Sequence, residues 1–91
     1  MSDTGKPILI SHHASQRMRD RGATQAEVEH AIRTVPWQPA KRGKWRVKER
    51  RTFDSLSPVN NQRYAFKVVE VVFADAPRVI VVVTVKVFYY N

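Results

Sequence analysis

His13-Ala14-Ser15-Gln16-Arg17-Met18-Arg19-Asp20-Arg21-Gly22, followed at once by Ala23-Thr24-Gln25-Ala26-Glu27, is the stretch on which the fold turns. It reads as two short helices joined by a glycine turn. Ser11 is a good N-cap for a helix over about residues 12 to 21, and Gly22 stands where a left-handed C-terminal residue is wanted. Thr24 and Glu27 form a Thr-x-x-Glu capping box that opens a second helix over about residues 25 to 35. Val28, Ala31, Ile32 and Val35 fall at i, i+3, i+4 and i+7, which is one helical face, and Pro36 ends it.

Working outward, Lys6 to Ile10 is a short extended or apolar lead-in. Trp37 to Gly43, entered from Pro36, reads as a loop with a second proline, Pro39, and a basic cluster. Three strands are expected after it: Lys44 to Phe53, Gln62 to Phe73 and Val79 to Tyr90, separated by a Ser/Pro/Asn-rich loop and by Ala74-Asp75-Ala76-Pro77-Arg78. The expected fold is α+β, a single domain over residues 1–91. Its two N-terminal helices pack on one face of a three- to four-stranded antiparallel sheet.

Register decides which side chains face water, because they alternate across a strand. Pairing Ala74 with Val79 puts Tyr64, Phe66, Val68 and Val72 on one apolar face with Val81, Val83, Val85, Val87 and Tyr89. Glu70 is then its one misfit, and Lys67 lies directly across from Lys86 on the other face. Two lysines paired in this way repel unless an anion lies between them. Sliding the hairpin by one residue moves Lys67 to the valine-rich side. Burying Trp45 and Val47 sends Arg46, Lys48 and Arg50 outward, with Arg63 at the rim.

The 91 residues carry a formal charge of +8, and arginine outnumbers lysine ten to six. Such a balance suits a polyanionic partner (nucleic acid, an acidic protein or a membrane surface), and the guanidinium fork meets phosphate with two hydrogen bonds. The bland alternative is charge that keeps a hydrophobic sheet soluble. With no cysteine, there is neither a disulfide nor a thiol nucleophile. The short polar start, Met1 to Gly5, has no signal-peptide apolar region, so a cytoplasmic protein is expected. The apolar C-terminal run is too short for a membrane span and is broken by Thr84 and Lys86.

A basic face of Arg46, Lys48, Arg50, Lys67 and Lys86, interleaved with Phe88 and Tyr90, suits single-stranded nucleic acid. A solvated charged face is the structural reading of the same residues. Phosphodiester cleavage needs a proton acceptor, a proton donor and positive charge at the oxyanion. His13 and Arg17 with Lys67 or Lys86 fill those roles if the helix edge meets the sheet face. Read structurally, Arg17 and Arg21 reach Asp20, Glu27 or Glu70, and His13 caps the helix. His12 and His13 point about 100° apart on a helix, and His30 stands away on the second helix. No metal site or other cofactor is therefore expected.

At His13-Ala14-Ser15-x-Arg17-Met18-x-x-Arg21-Gly22, then Thr24-x-x-Glu27-Val28, the chain resembles domain-of-unknown-function family 4258. Members share a His-Ala-x-x-Arg-Met-x-x-Arg-Gly opening and end in a strand like Arg78 to Val85. That family is similar to toxin ribonucleases of the RelE, barnase and colicin type. The resemblance implies two helices before an antiparallel sheet, RNA as the substrate and cleavage without metal. It directs attention to His13, Arg17 and Arg21 as catalytic residues.

The expected function is thus an RNA-targeting basic protein, in its fullest form a metal-independent toxin-type endoribonuclease. The alternative is a non-catalytic module that docks nucleic acid or an acidic protein inhibitor. Twelve extended residues reach roughly 40 Å, which exceeds a compact domain of this size. The last strand must bend, protrude or form a homodimer.

Overall fold

The computed structural model describes residues 5–91. Its elements are β1 (Ile8–Ile10), α1 (His12–Arg21), α2 (Gln25–Thr34), β2 (Gln38–Pro39), a 3-10 turn (Lys41–Gly43), β3 (Trp45–Leu56), β4 (Arg63–Asp75) and β5 (Ile80–Tyr90). The fold is α+β, with the helix limits close to those expected. The Ser11 hydroxyl accepts from the Ala14 amide, and Gly22 closes α1 at φ 90°. Both halves of the Thr24/Glu27 capping box are formed.

The sheet differs from the expected three or four antiparallel strands. It has five, in the order β1-β5-β4-β3-β2, and it is mixed. The lead-in strand β1 runs parallel to β5, pairing Ile8 with Ile80 and Ile10 with Val82. Part of the expected Trp37–Gly43 loop is β2, which pairs with Arg46 and Trp45. Both additions are two or three residues long, too short to leave a periodic trace in the sequence.

The register of β4 and β5 also differs. Lys67 pairs with Tyr89, and Lys86 with Glu70; Ala74 pairs with Val81 rather than Val79. A bulge breaks the ladder, since Val72 faces Thr84 while Phe73 faces Val82, which leaves Val83 as the extra residue. The bulge reverses the alternation of β5. Ile80 and Val82 face the helices before it, and Val85 and Val87 after it, all four buried.

On β4 the buried row is Lys67, Val69, Val71 and Phe73. The core therefore joins Val47, Val69, Val71, Phe73, Ile80, Val82, Val85 and Val87 to Ala14, Met18, Val28, Ala31 and Ile32 of the helices. Phe66, Val68 and Val72, expected under the helices, lie on the opposite face. Tyr64 rests against Tyr89, ring centroids 5.8 Å apart.

The last strand runs for 11 residues and carries the bulge at Val83. The molecule is elongated, 41 × 24 × 23 Å, and a strand of this length fits its long axis. No helix is long and apolar enough to cross a membrane.

Candidate nucleic-acid interface

The face turned away from the helices is a grid built by the two antiparallel ladders. Reading from β3 through β4 to β5, its rows are Arg46-Val72-Thr84, Lys48-Glu70-Lys86, Arg50-Val68-Phe88 and Thr52-Phe66-Tyr90. Four cations surround one carboxylate, and three aromatic rings occupy the adjoining end. The Arg50 guanidinium lies over the Phe66 ring at 4.6 Å, and Phe66 and Tyr90 are 5.5 Å apart. Phe88 is 50% exposed. Arg46 sits half-buried at the opposite end, and its buried Nε has no hydrogen-bond partner among the described residues.

Among the described residues, Arg46, Lys48, Arg50 and Lys86 form no ion pair. Four acids are engaged elsewhere: Glu27 with Lys67 and Arg51, Glu49 with Arg51 and His30, Asp54 with Arg63, and Asp75 with Lys6. Glu70 is the grid's only acid. The register sets it between Lys48 and Lys86, where it offsets part of their repulsion.

Lys67 is not on this face. It is 4% exposed beneath the helices, donating to the Gly22 carbonyl (2.8 Å) and to Glu27 Oε1 (2.9 Å). The alternation that carries Arg46, Lys48 and Arg50 outward carries Lys67 inward, because it pairs directly with inward-facing Arg51. Around it lies a polar cluster that the sequence did not announce. Arg51 Nε stands 3.4 Å from Glu27 Oε2, Arg51 Nη1 3.1 Å from Glu49 Oε1, and His30 Nδ1 2.9 Å from Glu49 Oε2. Burial pushes the Glu27 carboxyl up, but the Thr24 amide, Lys67 and Arg51 together hold it below its ordinary value. Burial and the Glu27 charge raise Tyr89. The members of this cluster come from three elements, so no local spacing could have revealed it.

The α1 strip is only partly brought together. Arg17 and Arg21 line a cleft with the Thr84–Phe88 stretch of β5, which they share with Lys86 of the basic face. His13 is exposed one turn earlier on α1 and does not line the cleft. The arginines do not reach Asp20, Glu27 or Glu70, and the cap of α1 is Ser11 rather than His13. Among the described residues, no three His, Cys, Asp or Glu side chains converge as a metal site would require. No family model, curated protein or solved structure matches this chain.

Proposed function

We propose that this chain is a small RNA-targeting protein that holds single-stranded RNA on the outer face of its sheet. One observation carries the reading: Arg46, Lys48, Arg50 and Lys86 form no ion pair among the described residues and share a face with the rings of Phe66, Phe88 and Tyr90. Phosphates meet the cations while bases stack on the rings. The resemblance of the His13–Gly22 stretch to family 4258 points to the same substrate. Metal-independent cleavage is the stronger form of the proposal. His13 would then serve as proton acceptor or donor, with Arg17 and Arg21 supplying charge for the oxyanion.

The test is affinity for a mixed-sequence single-stranded RNA in chelator, measured across a salt series, with strand scission scored in parallel. Native protein should bind less tightly as salt rises. The Arg46→Gln/Lys48→Gln/Lys86→Gln variant should flatten the log–log slope by about 2, at roughly 0.7 per lost phosphate contact. Scission lost in His13→Ala with binding retained establishes the enzyme. Binding without scission leaves a binding module. No binding by native protein refutes the proposal and leaves an acidic protein as the partner of the face.

A further inference from the structure

Strand β5 has β4 along one side, and among the described residues β1 pairs with its other side at Ile80–Val82 alone. Beyond the bulge that edge faces the flank of α1. Between them lies a cleft of about 260 Å³, lined by Arg17, Arg21 and the run Thr84–Phe88. Helical geometry brings both arginines to it. They are one turn apart and adjoin the row of Ala14 and Met18, which is buried against the sheet. Among the described residues no acid lines the cleft, and Arg17, Arg21 and Lys86 form no ion pair. The Arg21 carbonyl is held by the Tyr89 hydroxyl, so the backbone that carries this guanidinium is anchored to the same strand.

The number of donors narrows the ligand. Two guanidinium forks and an ammonium offer more hydrogen bonds than the two free oxygens of an internal phosphodiester accept. A terminal phosphomonoester presents three free oxygens and roughly 1.5 to 2 negative charges at pH 7. The volume points the same way. It lies below the roughly 300–1,000 Å³ of clefts that enclose a drug-sized molecule, so it suits the group at the end of a chain. Half-exposed Phe88, at the mouth, gives the terminal base a ring to stack on.

We infer that the cleft between α1 and β5 binds the terminal phosphate of the RNA chain held on the outer face. Arg17 and Arg21 grip its oxygens, and Lys86 serves both cleft and face. The inference rests on the binding form of the RNA reading above, since arginines that hold a terminal phosphate are not free to serve the oxyanion of an internal one.

The test uses one oligonucleotide sequence with a 5′-phosphate, a 3′-phosphate or hydroxyl ends. It is made with 2′-O-methyl sugars, so that the ligand stays intact whether or not the protein cleaves RNA. One phosphorylated form should bind native protein at least 10-fold more tightly than the hydroxyl-ended form. Arg17→Gln/Arg21→Gln should abolish that preference. Equal affinity for all three overturns the inference and leaves the outer face as the RNA site. A mononucleotide competing as strongly as the phosphorylated chain also overturns it, because the ligand is then a free nucleotide. Failure of all three chains to bind removes the inference together with the RNA reading.

Discussion

Gly22 is where the chain allows least change. Its φ of 90° is one that L side chains rarely adopt, and a Cβ there would lie 2.5 Å from the Tyr89 hydroxyl and 2.7 Å from Pro58 Cγ. Gly22→Ala should therefore cost about 2 kcal/mol or more, from strain and collision together, a fall of roughly 10 °C in Tm. A calorimetric scan checks it. Tyr89→Phe removes the nearest colliding atom, so the double variant should lose less than the two single losses added. Lys67 makes a different point at the same scale. Lys67→Met leaves Glu27 under the helices with only Arg51 as a cationic partner, at a cost of about 3 kcal/mol by denaturant midpoint. The same variant should leave the salt dependence of RNA binding unchanged, because Lys67 does not lie on the outer face. A reduced slope would place the RNA somewhere else.

At the scale of elements, the Thr24–Glu27 box does more than start α2. The carboxylate that caps the helix also receives the Lys67 ammonium and faces Arg51, so the helix start is tied to β3 and β4. Because Glu27 is held below its ordinary value of 4.5, the native state binds its proton less readily than the unfolded chain does. Its contribution is complete above that value and is lost as pH falls through the lower native one. Urea midpoints should thus decline below about pH 4.5 in the native protein and decline less in Glu27→Gln.

The two helices were legible in the sequence because their signals are local. Ser11, Gly22, Thr24 and Glu27 act within a few residues of themselves, and each is found in its expected role. The faces of β4 and β5 were not legible. Alternation gives the face of a strand only if the ladder is unbroken, and the extra residue Val83 breaks it. The outward cations of β3 were read correctly because β3 pairs regularly with β4 from Trp45 to Thr52. Lys67 was misplaced because pairing β4 with β5 misleads across the bulge, whereas its face follows from β3, where it pairs with Arg51.

On the whole molecule the charges are sorted rather than spread. Carboxylates and cations neutralise one another beneath and beside the helices, while the outer face and the α1–β5 cleft keep cations in excess. That sorting bears on the homodimer expected through the last strand. Two copies meeting antiparallel along the open edge of β5 would bring Arg17, Arg21 and Lys86 of each near the same cations of the other. Sedimentation at high concentration and low salt should therefore show a monomer. Added polyanion should be the condition that allows association, because it screens this edge.

The extra residue in β5 makes this strand tolerant of substitution and intolerant of any change in length. Val83 lies outside both the core cluster and the rows of the outer face, and Val83→Thr should cost under about 1 kcal/mol. Removing it forces a choice that no side chain can make good. Either Ile80 and Val82 turn to solvent, or Val85 and Val87 exchange places with Lys86 and Phe88. For a chain that must keep a greasy side and a charged side apart, one residue of spacing works as a phase setting, and relatives of this fold should differ in the letters of β5 far more readily than in their number.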